Sequence, residues 1–252
     1  MEYFVDEHSV VRKIWGKSDT ILFIFAGASA EFALNKAVDW LYFTGRLPAD
    51  PLGRLFSTVS YAQTIVFADR PTALRAIDAM AKIHAHVETE RAMRIPDWAY
   101  RDVLFMLIDY SIRSFEVLER PLTRAEKTEV FQVFYRMGTR MGVSELPTSF
   151  ETWETMRQNH LDQDLIRSTY TDDLFGQYRK HLGKIRYRFL LEAQTMVAPQ
   201  KVRKLLAFRN RSLLHPLIVF YKFSRRIHLD GLLKALVLPS QHTAQISRLD
   251  HG

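Results

Sequence analysis

The stretch RLFSTVSYAQTIVFADRPTALRAIDAMAKIHAHVE, residues 54–88, decides how the chain folds. It consists of two segments rich in apolar side chains, separated by the turn-forming sequence ADRP. In the second segment the apolar side chains recur every three or four positions, from Ala73 through Ile77 and Met80 to Val87. This spacing is typical of one face of an α-helix. The stretch therefore predicts two helices joined by a short turn.

The two histidines of this stretch lie on different faces of the second predicted helix. His84 continues the apolar stripe, whereas His86 falls among polar residues such as Lys82 and Glu90. A histidine on an apolar face is either a core residue satisfied by one hydrogen bond or a metal ligand, because neutral imidazole in a dry pocket binds iron or zinc well. The residues alone leave both interpretations of His84 open.

The first predicted helix carries three polar side chains on one face. Arg54, Thr58 and Tyr61 are spaced by four and then three positions, so they are neighbours on a helix surface. A cation and a hydroxyl in an otherwise apolar helix are costly to bury unless they are paired. Either Arg54 pairs with a carboxylate while Thr58 bonds the backbone carbonyl one turn back, or both residues belong to a polar site.

The composition is that of a globular protein without thiol chemistry. Of the 252 residues, 47% are hydrophobic and 25% are charged, which is enough for one large core. The absence of cysteine excludes disulfides, thiolate ligands and iron–sulfur clusters. The first residues lack the pattern of a secretory signal, and the most apolar early run is about half the length of a membrane span. We expect a cytoplasmic protein.

Positive charge is concentrated towards the C-terminus. Residues 176–252 contain 15 Lys and Arg against 3 Asp and Glu, a balance of +12, so residues 1–175 carry −5 of the net charge of +7. Such a region is either a solvated face or a contact surface for anionic lipid or nucleic acid. We expect peripheral membrane contact rather than nucleic-acid binding. The sequence thus predicts a helical core at 1–175 and a basic helical region at 176–252, packed on the core or beside it.

Long apolar-periodic stretches between sparse prolines and glycines predict an all-α protein with a single large multi-helix domain. Capping chemistry supports several helix starts, among them the capping box of Thr123 and Glu126. The predicted helices cover residues 8–16, 19–44, 50–67, 71–93, 97–119, 123–141, 149–160, 162–197, 199–211, 214–226 and 229–237.

The order and spacing of these residues resemble the MpaB-type oxygenase family, which includes the rubber oxygenases called latex clearing proteins. The family pattern has an aspartate–proline, an arginine four residues before a threonine, and a histidine one long helix later with a valine three residues beyond it. The resemblance covers roughly residues 19–160. It rests on DPLGRLFST at 50–58, Tyr61, VFADR at 66–70, Ala73, IHAHV at 83–87, Ser114, RMG at 136–138, MGV at 141–143 and Leu146 with Pro147.

The resemblance implies an all-helical fold that holds haem b in a pocket between core helices. By position, His84 matches the single proximal ligand of the iron, and Arg54 and Thr58 match the arginine and threonine near the haem. At a buried site of this kind an arginine neutralises a propionate and a threonine hydroxyl donates a hydrogen bond. The implied reaction is the oxidation of an apolar, isoprenoid-like substrate by dioxygen, with Arg54 and Thr58 as its catalytic residues.

The chain departs from the family pattern at several positions. Ser57 stands where latex clearing proteins have a lysine, so a distal lysine ligand is absent. The sequence MLI at 106–108 replaces tryptophan–valine–histidine, which removes a second histidine, and Ala68 and the ET sequence at 88–89 replace glycines. Asp39, on the preceding helix, is the nearest candidate for an acid or a base, and an ordinary ion pair is its alternative role.

Two other classes of function stay open on the sequence alone. A member of the same family without haem would bind lipid in the pocket without catalysis. A helical protein of another kind would use the basic C-terminal region, with aromatic residues such as Phe220 and Phe223, on nucleic acid or on another protein. No G-x-x-x-x-G-K, G-x-G-x-x-G or H-E-x-x-H sequence is present, so a phosphate-binding loop or a metalloprotease helix has no support.

Overall fold

Helices and short connections make up the described part of the structure. The computed structural model describes residues 2–43, 45, 49–216, 218 and 221–222, without the side chains of residues 41 and 51–56. Within these ranges there is no β-strand, and backbone bridging is limited to the isolated pairs Tyr3 with Asp69 and Asn35 with Leu165. None of the helices within them is long and apolar enough to cross a lipid bilayer. The prediction of an all-α fold is confirmed.

The helices follow one another closely along the chain, and we number them in chain order. Several begin with the capping chemistry that the sequence predicts. Thr123 accepts the N–H of Glu126 at 3.2 Å and donates its own N–H to the Glu126 carboxylate at 2.9 Å, the predicted capping box. The helices are α1 Val10–Trp15, α2 Ser18–Phe32, α3 Asp39–Phe43, α4 Pro51–Phe67, α5 Arg70–Arg91, α6 Asp97–Leu118, α7 Arg124–Arg140, α8 Phe150–Gln163, α9 Thr169–Val197 and α10 Gln200–Leu205.

The packing of α2 against α6 forms the centre of the molecule. Trp15, Phe105 and Tyr110 are among the largest fully buried side chains, and the indole N–H of Trp15 donates to Ser111 Oγ at 3.2 Å. Gly27 permits the close approach of the two helices, since a Cβ at this position would lie 2.2 Å from Cδ1 of Tyr110. The pair α4 and α5 packs beside this centre, where it contacts α1, α7 and α9.

The single helix predicted over 19–44 is wrong, because the chain ends α2 at Phe32 and starts the short α3 after a turn. Asn35 causes the break. Its Oδ1 accepts the N–H of Ala37 at 2.8 Å, a local bond that competes with helical bonding, and its Nδ2 donates to the buried carboxylate of Asp102. The periodicity of the segment does not reveal this turn, because the partner of Asn35 lies far away in the sequence.

The helix predicted over 162–197 starts later and is broken. The segment between α8 and α9 pairs with the connection after α2, where the N–H of Ile166 donates to the carbonyl of Leu34 at 2.7 Å. Within α9, Gly183 has a φ of 72° and a ψ of 171°, a conformation that glycine adopts without a steric penalty. The predicted continuous helix therefore consists of two helical segments that meet at Gly183.

The described C-terminal residues pack on the core. Ala198 and Val202 are buried in an apolar cluster with Leu34. The hydroxyl of Tyr221 donates to Oδ2 of Asp19 at the start of α2, at 2.7 Å. These contacts connect the end of the described chain to the first long helix.

The helix predicted over 199–211 is too long, because α10 ends at Leu205 and Ala207 has a φ of 54°. The boundary predicted after residue 175 falls within α9, and the division into a core and a basic region stays a prediction. The structure describes the helix predicted over 214–226 only in part. The helix predicted over 229–237 lies outside the described residues.

Candidate functional site

The predicted site residues lie on α4 and α5, which pack against each other and are joined by a short turn. Asp69 caps the N-terminus of α5, and its Oδ1 accepts the N–H of Thr72 at 2.8 Å. At a helical rise of about 1.5 Å per residue, Arg54 and His84 each lie about 20 Å along their helices from this turn. Thr58 lies about one helical turn nearer to it. The helix bounds therefore place the backbones of the three residues at similar distances from the turn, measured along the axes of α4 and α5.

The two histidines of α5 have different surroundings. His84 is half-buried, whereas the side chain of His86 is 70% exposed and its Nε2 lies 3.3 Å from Oε1 of Glu90. Along the apolar stripe of α5, only Ala73 and Ile77 are fully buried. The periodicity thus separates the two histidines correctly but overestimates the burial of His84, because the stripe is only half-buried beyond Ile77.

The two predicted residues of α4 are described to different extents. Thr58 is half-buried and precedes the fully buried Val59. The backbone of Arg54 belongs to α4, but its side chain lies outside the described part of the structure. The roles of Arg54 and Thr58 at the site stay predictions.

Tyr100 of α6 packs its ring against His84. The ring centroids are 5.4 Å apart and the ring planes are nearly perpendicular, at 89°. The Tyr100 hydroxyl donates to Oε1 of Glu88 at 3.2 Å, and the same oxygen accepts the N–H of Ile95 at 2.8 Å. Burial, and then the carboxylate of Glu88, raise the pKa of Tyr100 well above its usual value, so the phenol stays protonated and able to donate.

Asp39, the candidate acid or base, is part of an ion pair. Its Oδ2 lies 2.6 Å from Nη2 of Arg91. The guanidinium of Arg91 also lies over the Trp40 ring, 4.0 Å from its centroid, and 5.4 Å from the centroid of Phe43. The structure therefore favours the ordinary ion pair over a free acid or base at this position.

A second polar cluster, which the sequence analysis did not predict, lies between α2, α6 and α8. Arg157 donates to the two carboxylate oxygens of Glu31 at 2.5 and 2.6 Å and to Oδ2 of Asp109 at 3.1 Å, and all three residues are buried. Burial opposes the charge of Arg157, but the two carboxylates outweigh it and raise the pKa of Arg157 well above its usual value. We call Glu31, Asp102, Asp109, Arg157 and His160 the buried ion cluster.

Asp102 and His160 form the other half of the buried ion cluster. Oδ1 of the fully buried Asp102 lies 3.7 Å from Nη1 of Arg157 and 4.0 Å from Nδ1 of His160. Burial, and then the Glu31 carboxylate, raise the pKa of Asp102 to about 7. Nδ1 of His160 lies 2.5 Å from Oδ2 of Asp164, but burial outweighs this contact and lowers the pKa of His160. The raised pKa favours the protonated form of the Asp102 carboxyl within the cluster.

The sequence does contain a signal for this cluster, in carboxylates that lie within or directly after apolar helical sequence. Glu31 directly follows the apolar run of α2, and Asp109 lies inside the apolar sequence LFMLIDYSI of α6. A carboxylate on the apolar side of a helix needs a buried cation. Its partner, Arg157, is more than forty positions from Asp109 along the chain, and no local pattern identifies it.

The residues around His84 fit a haem with one histidine ligand. Among the described residues, no three or more carboxylate or imidazole side chains are arranged to hold a metal ion. A haem iron needs only one axial side chain from the protein. The half-buried imidazole of His84, with Tyr100 packed against it and Thr58 on the adjacent helix, is a side chain that could serve as such a ligand.

The fold and this site define an all-helical protein with a half-buried histidine on one of two paired helices that pack beside its centre. The family described as ER-bound oxygenase mpaB/B'/rubber oxygenase, catalytic domain, matches residues 13–227. The chain belongs to this family, which confirms the predicted resemblance and supports an oxygenase-type function. The match continues through α9 and α10, beyond the part on which the resemblance rested. No curated protein and no solved structure matches the chain.

Proposed function

We propose that this protein is a haem-dependent oxygenase that uses dioxygen to oxidise an apolar, isoprenoid-like substrate. The observation that carries the proposal is the half-buried His84, at the level of Arg54 and Thr58 on a helix pair within the region that matches the oxygenase family. His84 would hold haem b through its imidazole. When bound, haem b supplies an iron that activates dioxygen.

The chain's own residues have separate roles in this proposal. Thr58 donates a hydrogen bond into the pocket from the helix that faces His84. Arg54 provides the countercharge for a haem propionate, a contact of the bidentate kind that guanidinium groups favour. The apolar side chains of α4, among them the buried Val59 and Ile65, keep water from the site.

Exposed apolar side chains on α5 and α3 support an apolar substrate. Ile83, the neighbour of His84 in the sequence, is 37% exposed, and Phe43 beside Arg91 is 46% exposed. Exposed apolar side chains can contribute to a binding region when they lie together. We propose that the substrate enters along this part of α5 and α3.

An absorption spectrum tests the proposed function. We expect the protein as purified, or after addition of haemin, to show a Soret band at one haem per chain. The loaded protein should then consume oxygen with members of a panel of isoprenoids of different chain lengths. A protein that takes up no haemin, but binds the same isoprenoids without consuming oxygen, would contradict the proposal and favour the lipid-binding alternative.

We also propose that the basic region at 176–252 makes peripheral contact with anionic lipid. Residues 174–191 contain five Lys and Arg and no acidic residue. Lys180, Lys184 and Arg188 are exposed, as is Ile185, at 72%. Leu182, Tyr187 and Leu190 pack inwards on the core instead. Exposed cations around an exposed aliphatic side chain suit a bilayer surface, whereas base stacking needs exposed aromatic rings.

Vesicle sedimentation tests this contact. We expect binding to vesicles that contain anionic lipid, falling steeply as salt is added, and about a 30-fold weaker affinity when Lys180 and Lys184 are both replaced by serine. The matched control replaces the exposed lysines Lys13 and Lys82, which lie outside the basic region. Equal losses in both double variants, or tight binding to duplex DNA without vesicle binding, would contradict the proposed contact.

A further inference from the structure

We infer that Tyr100, tethered by Glu88, is a positioning residue that sets the ring plane of His84. The inference rests on the proposed function, because it assigns Tyr100 and Glu88 to the support of the proposed haem ligand. Neither residue belongs to the motif by which the site was recognised. Glu88 is also one of the positions where this chain departs from the glycine of the family pattern.

The contact between Tyr100 and His84 restricts a motion that the backbone leaves open. Rotation of an imidazole about its outer torsion is broad, so the helix alone does not determine the direction of the ring. The nearly perpendicular contact of the two rings, with centroids 5.4 Å apart, is the edge-to-face geometry that aromatic pairs prefer. The Tyr100 ring therefore restricts rotation of the His84 imidazole and favours one orientation of it.

Glu88 connects the Tyr100 ring to α5, the helix that carries His84. Glu88 lies four residues after His84 on α5, so both side chains are on the same face of that helix. Its Oε1 accepts from the Tyr100 hydroxyl at 3.2 Å and from the N–H of Ile95 at 2.8 Å. The second bond also holds the connection between α5 and α6 in place. His84, Glu88 and Tyr100 form one unit, because the hydrogen bond from Tyr100 to Glu88 fixes the position of the Tyr100 ring relative to α5.

Support of this kind has a measurable effect on metal ligands. Groups that orient a coordinating histidine typically change the affinity of the site for its metal by about 10- to 100-fold when they are removed. The support described here is the ring contact with Tyr100, whose hydroxyl is tethered by Glu88. Loss of the ring and loss of the tether therefore have separable effects.

Haemin titrations of four variants test the inference. We expect Tyr100→Leu to weaken haemin binding about tenfold and to change the electron paramagnetic resonance spectrum of the ferric protein, because the ligand plane is released. Tyr100→Phe keeps the ring and should remain within about threefold of the wild type. Glu88→Gln keeps both acceptor contacts and should bind as the wild type does. The matched control is Tyr135→Leu, which removes a half-buried tyrosine that contacts Phe131 on α7.

Nuclear magnetic resonance of the haem-free protein separates the two possible failures. The His84 ring protons should carry a ring-current shift that is lost in Tyr100→Leu and kept in Tyr100→Phe and Tyr135→Leu. Wild-type protein that binds no haemin but shows this pattern would contradict the proposed function and leave the orientation of His84 by Tyr100 standing. An unchanged His84 shift in Tyr100→Leu, or equal haemin affinities of Tyr100→Leu and the wild type, would overturn the inference.

Discussion

The helix pair α4–α5 and the buried ion cluster use polar side chains in opposite ways. In the cluster, Arg157, Glu31 and Asp109 are all buried, and Arg157 donates hydrogen bonds to both carboxylates. On the helix pair, Thr58 and His84 are only half-buried, and solvent reaches them. The first arrangement holds its ion pairs away from solvent, and the second leaves the side chains of Thr58 and His84 partly exposed. Stability should therefore depend on the cluster and ligand binding on the pair.

The largest expected effect is the loss of stability when the cluster loses its cation. Arg157→Ala leaves the carboxylates of Glu31 and Asp109 buried without a countercharge, and we expect a loss of about 3–5 kcal/mol in the free energy of unfolding, measured with urea. Arg124→Ala is the matched control, because Arg124 also makes two ion pairs, with Glu151 and Glu154, but is exposed. Equal unfolding midpoints for the two variants would contradict the claim that the buried ion cluster stabilises the fold more than exposed ion pairs do.

Ligand binding should respond to the helix pair alone. We expect His84→Ala to abolish stoichiometric haem binding, with an affinity more than about 100-fold weaker, while its urea unfolding midpoint stays close to that of the wild type. His86→Ala is the internal control, since it removes an exposed imidazole two positions away. Haemin titration of both variants measures this difference. Similar losses of haemin affinity in the two would show that the position of His84 on its helix face does not determine binding.

The pH dependence of stability should come from the cluster. Folded Asp102 keeps its proton up to a pKa of about 7, whereas the unfolded carboxyl loses it near about pH 4. The wild type therefore loses stability as the pH rises from 4 to 7, and it keeps this contribution only at lower pH. Asp102→Asn stays neutral at every pH.

The measurement compares Asp102→Asn with the wild type at pH 5 and pH 8, where Glu31, Arg157, His160 and Asp164 face the same position in both proteins. We expect the variant to gain on the order of 2 kcal/mol relative to the wild type between these two values. A difference that does not change with pH would mean that Asp102 is already ionised in the folded protein at pH 5.

The smallest expected effect is on turnover. Thr58→Val keeps nearly the same side-chain volume and removes the hydroxyl, so we expect haem content to persist while oxygen consumption falls about 10-fold, equivalent to about 1.4 kcal/mol of transition-state stabilisation. Ser60→Val on the same helix is the control, because Ser60 is exposed. Full activity of haem-loaded Thr58→Val would assign the hydroxyl to the structure of α4 rather than to the site.

Most of the fold was predictable because its determinants are local. The capping box at Thr123 and the faces of α5 follow from neighbours within a few positions, and both are found as predicted. The break after α2 was not predictable, because Asn35 bonds Asp102, which lies 67 positions further along the chain. Helical periodicity does not reveal such a partner, so the turn appeared to be part of a longer helix.

The candidate site shows the same limit. The spacing of Arg54, Thr58 and His84 identified the helix pair, since motif residues recur at fixed positions within two successive helices. Tyr100 was missed, because its contact with His84 depends on how α6 packs on α5. The buried ion cluster was missed for a similar reason, because it joins three helices that are far apart in sequence.

Gly27 has a consequence for the chain's tolerance of mutation. A methyl group there would occupy space held by the Tyr110 ring, and the hydroxyl of that ring donates to Oε2 of Glu31 at 2.8 Å. A change at one small, uncharged residue therefore affects the hydrogen bond of a carboxyl group one helical turn away. Substitutions at Gly27 should destabilise the fold for electrostatic reasons as much as for steric ones. A scale of residue volume would therefore underestimate the loss of stability.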